Sequence, residues 1–208
     1  LDQGFAQADH VFEDTFRSHY VHQAYMEPST AVVSVDTTGK ATVWACDRIP
    51  HMSQNIICHW LDLPQHKVRI IPTAIGGSFG GKAVPRLEAL GIVLSQKTKH
   101  PIKMVATRAE EFTIFGGRHS TVFRIKTGVK KDGTITAREV RAVANTGAVE
   151  GSVTVAHRAA HFGFGVYRIP NMKADSYVVY TNQVGAASYR GVGSSQAIWS
   201  VERHTDLV

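Results

Sequence analysis

Four glycines in six residues distinguish the run Gly76-Gly77-Ser78-Phe79-Gly80-Gly81-Lys82, called here the glycine loop. The apolar residues 68–75 before it have the composition of a strand, and the pattern after it predicts a helix over about 84–98. Backbone amides can converge on an anion or an oxo group at such a turn, because glycine permits positive φ and close approach. The run matches neither the P-loop nor the dinucleotide fingerprint, so a purely structural turn stays open as an alternative.

A second glycine-flanked turn, residues 189–196, called here the arginine turn, leads into a helix predicted over residues 195–207. The planar guanidinium group of its Arg190 can donate paired hydrogen bonds to phosphate or to a metal-bound oxygen. An arginine on a solvated turn is the ordinary alternative. Two turns of this kind, each expected to begin a helix, favour a shared anionic ligand.

The rest of the chain mixes strand and helix patterns. Hairpins are predicted for residues 30–35 with 40–46 and for 119–129 with 134–145, and further strands for 10–20, 102–106 and 178–181. A helix over residues 51–61 is expected to bury Met52, Ile56 and His59/Trp60. The fold class is therefore α+β. It forms either one domain over 1–208 or two α+β subdomains over about 1–115 and 116–208.

Composition excludes several classes of protein. There are 23 Lys and Arg against 17 Asp and Glu, but only Lys130 and Lys131 are adjacent, so we expect no nucleic-acid partner. No apolar run approaches the ~18 residues of a membrane span, and the N-terminal residues do not resemble a signal peptide. Cys46 and Cys58 have no zinc-ligand spacing and cannot form a disulfide framework. A reducing, cytoplasmic location is expected.

Six segments occur in the order and spacing of the molybdenum hydroxylases. They are Tyr25-Met26-Glu27-Pro28 (that family's LEP signature), the glycine loop (GGGFGGK, with Ser78 for one glycine), Arg118-His119 (RH), residues 130–135 (KDGTI), residues 167–171 (Y.IPN) and the arginine turn (FRGFG..Q). Over nearly its whole length the chain resembles the large, molybdopterin-binding subunit of the xanthine dehydrogenase, aldehyde oxidase and carbon monoxide dehydrogenase family.

That resemblance implies the first cofactor-binding domain of the xanthine oxidase family, with mixed or antiparallel sheets and packed helices. Its cofactor is a molybdenum-pyranopterin, as molybdopterin or its cytosine dinucleotide. The family hydroxylates an aldehyde, purine or N-heterocycle with water and passes electrons to [2Fe-2S] and FAD groups on partner domains or subunits. Because the pterin dithiolene ligates molybdenum, no protein metal ligand is expected.

The resemblance also implies roles for individual residues. Those expected to bind the cofactor are Gly77, Ser78, Phe79, Gly80, Gly81, Arg190, Gly191 and Arg48. Those expected to line the substrate pocket are Phe79, Ala83, Arg158 and Val192. Arg158 is the catalytic candidate, stabilising negative charge on the substrate, with a structural pairing to a carboxylate as the alternative.

Three of these positions depart from the pattern that the resemblance implies. Ala83 and Val192 stand where the purine-oxidising members have glutamate and phenylalanine, and Arg48 stands where the family usually has glutamine, which disfavours a typical purine pocket. His157 and His161 straddle Arg158 and either line a pocket or share one helical face. Glu110 and Glu111 are expected in a solvated turn.

No segment resembles the surroundings of the family's catalytic glutamate, so this chain alone, as a fragment or a split subunit, is expected to be inactive. Its expected partners are the rest of the large subunit, the iron-sulfur and FAD subunits or domains, a small-molecule substrate, and a second copy through exposed apolar surface; a membrane is not expected. Two alternatives stay open. One is a non-catalytic, cofactor-carrying or assembly subunit of the same family, and the other is a plain anion- or nucleotide-binding module.

Overall fold

The computed structural model describes residues 1–149 and 154–208, and its contacts divide the chain into two compact units. Residues 22–116 form one, called here the inserted unit, and residues 1–21 with 117–208 form the other, called here the split unit. Each contains a four-stranded sheet and helices, which confirms the α+β class.

In chain order the elements are α1 (Asp2–Ala6), β1 (His10–Ser18), β2 (Thr30–Val35), β3 (Ala41–Ala45), α2 (Pro50–Leu61), a 3-10 turn (Gln65–Lys67), β4 (Val68–Pro72), α3 (Glu88–Thr98), β5 (Ile102–Val105), α4 (Arg108–Thr113), β6 (Thr121–Val129), β7 (Ile135–Gly147), α5 (Thr154–Phe162), β8 (Asn171–Tyr180) and α6 (Ser194–Leu207). No helix among the described residues is both long and apolar enough to cross a membrane.

The sheet of the inserted unit has the strand order β4-β3-β2-β5. The predicted hairpin β2–β3 is antiparallel, β5 pairs antiparallel with β2, and β4 runs parallel to β3, so the sheet is mixed. Helix α3 packs so closely on β2 that a Cβ on Gly91 would lie 2.7 Å from Cγ2 of Val33. The core of this unit includes the buried residues Val43, Ile57 and Ile92.

The sheet of the split unit has the strand order β1-β6-β7-β8. The long hairpin β6–β7 lies at its centre, β1 pairs antiparallel with β6, and β8 runs parallel to β7. Helices α5 and α6 pack together, and α6 contributes Ala197 and Val201 to a core that includes Phe123 and Ile125. This unit carries the arginine turn.

The expected face of helix α2 was wrong. Its buried positions are Ser53, Ile57 and Cys58, whereas Met52 is 45% and Trp60 58% exposed, and His59 is exposed as well. Three successive apolar residues, 56–58, leave the phase of the pattern ambiguous, and an error of one residue turns a helix by about 100°. Ile56 is only partly buried.

Helix α3 begins at Glu88 and not near residue 84. The backbone N–H of Arg86 donates to the Glu88 carboxylate at 2.5 Å, and the Arg86 side chain turns back to the carbonyl of Gly81. The segment between the glycine loop and α3 is therefore a series of turns. The expectation that the loop itself begins a helix was wrong.

Candidate functional site

The middle of the glycine loop presents a row of backbone amides that have no partner among the described residues. Gly77, Phe79 and Gly80 have φ of +99°, +50° and +102°, in the left-handed region. The amides of Gly81 and Lys82 turn back to the carbonyl and hydroxyl oxygens of Ser78, at 2.7 and 3.1 Å. Within the described part of the chain, the four amides of residues 77–80 donate to no other group. Successive backbone amides in turn conformations of this kind can form an anion-binding concavity.

The glycines of the loop are required because the loop lies directly on Tyr25 and Glu27. A Cβ on Gly81 would be 2.6 Å from Cε1 of Tyr25, and one on Gly76 would be 2.7 Å from Cβ of Glu27. A Cβ on Gly77 would also be close, at 3.1 Å from Cβ of Tyr25. Side chains at these positions would lift the loop from its floor, called here the Tyr25–Glu27 platform.

Glu27 joins the two ends of the loop. Its Oε2 accepts the backbone N–H of Gly76 at 2.8 Å and the ammonium group of Lys82 at 2.7 Å. Lys82 is only 2% exposed, and its Nζ lies 4.7 Å from the ring centroid of Tyr25. Burial alone raises the pKa of Glu27, but the Lys82 and Gly76 hydrogen bonds and the Lys82 charge hold it below its ordinary value.

Tyr25 is in turn fixed from below by Glu111. The phenol of Tyr25 donates to one oxygen of the Glu111 carboxylate and the backbone N–H of Ser29 to the other, and Glu111 is fully buried. Burial, together with the hydrogen bond to Glu111, raises the pKa of Tyr25 to about 12.

The expected placement of Glu111 in a solvated turn was wrong. Glu111 lies in α4, where Thr107 and Glu110 form a capping box: the Thr107 hydroxyl accepts the Glu110 amide, and the Glu110 carboxylate accepts the Thr107 amide. The pattern Thr-x-x-Glu was the signal in the sequence for this helix. Glu110 is exposed, but the helix that it caps turns its neighbour inward.

The C-terminal end of the glycine loop contacts two residues expected in the site. The backbone N–H of Arg48 donates to the Lys82 carbonyl at 3.0 Å, and the side chain of Arg48 is exposed. Ala83 follows directly and is partly buried. Arg86 holds this end through a bond from Nε to the Gly81 carbonyl at 3.0 Å, with its guanidinium over the ring of Phe115. The structure thus brings Arg48, Ala83 and the glycine loop together.

In the split unit, Arg118 organises the arginine turn. Its guanidinium donates to Oε1 of Gln196 at 3.0 Å and to the Arg190 carbonyl at 2.7 Å, and it lies 4.5 Å from the ring centroid of Tyr189. The side-chain amide of Gln196 donates to the backbone carbonyl of His119 at 3.3 Å. The Arg118-His119 motif and the arginine turn are therefore one structural element, a contact that the sequence did not indicate.

The arginine turn begins helix α6, as expected. Gly193, with φ of +75°, is the N-cap residue, and Gly191 has the same φ. The side chain of Arg190 is exposed and that of Val192 partly buried.

Helix α5 packs against this turn and carries Arg158. A Cβ on Gly193 would lie 3.1 Å from Cβ of Arg158 and 2.6 Å from the carbonyl of Val155. Arg158 is exposed and forms no ion pair with any described residue. His157 and His161 are also exposed and stack with ring centroids 6.2 Å apart, on one face of the helix. No group of three or more metal-ligating side chains occurs among the described residues.

A family model described as the molybdopterin cofactor-binding domain matches residues 1–208. The chain belongs to this family. The expected family is thereby confirmed, and the glycine loop and the arginine turn are features of a molybdopterin cofactor-binding domain.

Relatives of this molybdopterin domain are subunits of larger oxidoreductases. The nicotinate dehydrogenase large molybdopterin subunit of Eubacterium barkeri is 36% identical over 198 residues, which cover 95% of this chain and 47% of that protein. A probable xanthine dehydrogenase subunit of Bacillus subtilis is 32% identical over 208 residues, 99% of this chain and 28% of that protein. The chain spans less than half the length of either relative.

Solved structures agree with the fold. Reconstituted CO dehydrogenase from Oligotropha carboxidovorans matches with a TM-score of 0.88 at 26% identity, over 98% of this chain and 26% of that one. The aldehyde oxidoreductase from Desulfovibrio gigas matches with a TM-score of 0.90 at 26% identity, over 96% of this chain and 22% of that one. The expected mixed-sheet architecture of a molybdenum cofactor-binding domain is confirmed.

The residues of the glycine loop fit a molybdopterin cofactor. The cofactor offers oxygen and phosphate acceptors, and the loop offers four successive amide donors that the described residues leave unused. The glycines that lie on the platform keep the loop free of bulky side chains, except for Phe79, which is 50% exposed. The donor set of the molybdopterin domain and the acceptors of its cofactor are complementary.

Proposed function

We propose that this chain is the molybdopterin-binding part of a molybdenum hydroxylase that oxidises an aldehyde, purine or N-heterocycle with water as the oxygen source. The proposal rests on one observation: the amides of residues 77–80, which donate to no described residue, lie above the Tyr25–Glu27 platform in a chain of the cofactor-binding family. The cofactor supplies two-electron redox chemistry, and the protein binds the cofactor, orients the substrate and polarises the reacting groups.

The amides of Phe79 and Gly80, with the neighbouring Gly77, Ser78 and Gly81, would hold the cofactor in the inserted unit. Preorganised backbone donors of this kind need no rearrangement when the ligand binds. Arg48 and Ala83, at the end of the same loop, would border the cofactor and the substrate.

In the split unit, Arg190 and Gly191 would hold anionic groups of the cofactor. Arg158, exposed beside the arginine turn and without a described carboxylate partner, would stabilise negative charge that develops on the substrate. Val192 offers a smaller apolar surface than phenylalanine, so we propose a weaker aromatic clamp than the purine-oxidising members have.

Among the substrate classes we favour an N-heterocycle. A relative 36% identical to this chain is named a nicotinate dehydrogenase subunit, and Ala83 and Val192 depart from the purine-oxidising pattern. A general base would come from the remainder of the large subunit. Electrons would pass to iron-sulfur and FAD domains or subunits, in the cytoplasm.

The test uses the complete natural protein with its partner subunits, made in a host that synthesises the cofactor. N-heterocycles, including nicotinate, are compared with aldehydes and purines in ¹⁸O-labelled water. The proposal expects product carrying oxygen from water and an Arg158→Met variant whose kcat falls by about 10²-fold or more, as for other electrostatic catalytic groups. An Arg158→Met variant with unchanged kcat would contradict the role of Arg158.

The departures at Arg48 and Ala83 favour one second candidate, a cofactor-carrying or assembly subunit without catalysis. The same preparation separates the two functions. Bound molybdenum without oxidation of any member of the panel would favour the second candidate and contradict hydroxylation.

A further inference from the structure

Two motifs that lie 49 residues apart in sequence meet at a single carboxylate. Oε2 of Glu27 accepts the backbone N–H of Gly76, the first residue of the glycine loop, at 2.8 Å. The same oxygen accepts Nζ of Lys82, the last residue of the loop, at 2.7 Å. One side chain thus closes the loop from both ends, while the unpaired amides of residues 77–80 lie between them.

We propose that Glu27 is the positioning residue of the cofactor loop. By joining Gly76 to Lys82 it holds the amides of residues 77–80 in their binding arrangement before the cofactor arrives. This inference rests on the proposed function, because it assumes that those amides receive the cofactor.

The loop needs such a tether because one of its residues is held in an unfavourable backbone conformation. Phe79, with φ of +50°, adopts a left-handed conformation that L side chains rarely occupy, whereas Gly77 and Gly80 adopt positive φ without steric cost. Such conformations persist only where surrounding contacts enforce them. Below the loop, the ring and Cβ of Tyr25 form a supporting surface, but only Glu27 among the described residues makes hydrogen bonds to both ends.

Lys82 makes the tether specific for a carboxylate. Its side chain is 2% exposed, and Glu27 is its one ion-pair partner among the described residues. A neutral acceptor at position 27 would keep the Gly76 bond but leave the buried charge without a counterion. The single carboxylate therefore has two roles that substitution can separate.

The test compares four variants of the complete natural protein. Glu27→Gln keeps an acceptor without charge, and Glu27→Ala removes both. The exchange Glu27→Lys with Lys82→Glu restores opposite charges but places no acceptor at position 27 for the Gly76 amide. Asp62→Asn, an exposed carboxylate in the same unit without a hydrogen-bond or ion-pair partner for its side chain among the described residues, is the control with the same loss of charge as Glu27→Gln.

Two measurements are made on each variant. One is the rate of hydrogen–deuterium exchange at residues 76–82 in cofactor-free protein, and the other is the number of molybdenum atoms and pterin molecules per copy of the holoprotein. Glu27→Ala and the charge exchange should both speed exchange at Gly76 by about tenfold or more, since a hydrogen bond to a charged group is lost. Both should also lose most of the cofactor, Glu27→Gln should lie between them and the wild type, and Asp62→Asn should match the wild type.

A charge exchange that restores wild-type cofactor content would overturn the proposal, because Glu27 would then act through the ion pair alone. Unchanged exchange at Gly76 in Glu27→Ala would overturn it as well. A wild-type protein without molybdenum would contradict the proposed function instead, and the exchange measurement on cofactor-free protein would still decide whether Glu27 positions the loop.

Discussion

Tyr25→Phe tests whether the support of the glycine loop depends on the aromatic ring of Tyr25 or on its hydroxyl group. Tyr25 is 1% exposed, and its hydroxyl donates to the fully buried carboxylate of Glu111. Phenylalanine keeps the ring beneath Gly81 and the Cβ beneath Gly77 but removes this donor. The variant should therefore lose stability while the shape of the loop, and with it the cofactor content, stays close to that of the wild type.

The expected loss in the free energy of unfolding is about 1.5–3 kcal/mol, the usual contribution of a buried hydrogen bond to a charged group. Urea unfolding monitored by tryptophan fluorescence measures it. When these 208 residues are expressed alone, a Trp199→Phe background leaves Trp44 and Trp60, both in the inserted unit, so that the signal reports the unit that contains Tyr25. Thr37→Val, which removes a hydroxyl group from an exposed residue of the same unit, is the control and should change stability by less than about 0.5 kcal/mol.

The pKa of Tyr25 gives an independent check. Because it is raised from 10.0 to about 12, the folded protein keeps a proton that the unfolded chain releases. This part of the stability is complete below pH 10 and is lost as the pH rises to about 12, so the difference between wild type and Tyr25→Phe should shrink over that range. A variant as stable as the wild type at neutral pH, or a difference that is constant up to pH 12, would refute the assignment of the Tyr25–Glu111 bond.

Three further predictions follow from other contacts. Gly81→Ala places a Cβ 2.6 Å from the Tyr25 ring and should destabilise by about 1–3 kcal/mol and lower the bound molybdenum, whereas Gly39→Ala, with no atom within 4 Å of its Cβ, should leave metal content unchanged. Arg118→Met removes two hydrogen bonds to the arginine turn and should speed amide exchange at Ser195 and Ala197, whose amides donate to the Gly191 and Gly193 carbonyls, by about tenfold; equal rates would show that the turn does not depend on Arg118. Burial and the Arg118 charge lower the pKa of His119 from 6.5 to about 4, so stability should fall as the pH falls from 6.5 to 4, and His119→Gln should flatten that decline in acid unfolding curves.

The sequence predicted those parts of the fold that rest on local patterns. Alternating apolar residues placed β2, β5 and the hairpin β6–β7 to within a few residues, and Pro50 marked the start of α2. Pairings between distant segments have no local signal. Strand β1 joins β6 across more than a hundred residues, so the N-terminal residues belong to the split unit, and no pattern in either strand shows this.

The candidate site shows the same division. The glycines and Arg190 stood out because a turn with bare amides needs these residue types. The supports of the turns were less evident. Glu27 and Arg118 lie in segments that resemble family motifs, but their role as supports is defined only by what folds against them, and Glu111 resembles an ordinary surface residue in the sequence. Lys82 belongs to a recognisable motif, yet its burial against Tyr25 could not be inferred from its position. The assignments of Arg48, Ala83, Arg158 and Val192 to the cofactor or substrate stay predictions.

The most direct test of the central claim, that the glycine loop on its Tyr25–Glu27 platform binds molybdopterin, is the molybdenum and pterin content of the complete natural protein purified from a cofactor-making host. We predict about one molybdenum per copy of this chain, as for a preorganised single cofactor site, with pterin released on denaturation and both lowered together by Glu27→Ala. Wild-type protein free of molybdenum and pterin, from a host whose other molybdenum enzymes are loaded, would contradict the claim.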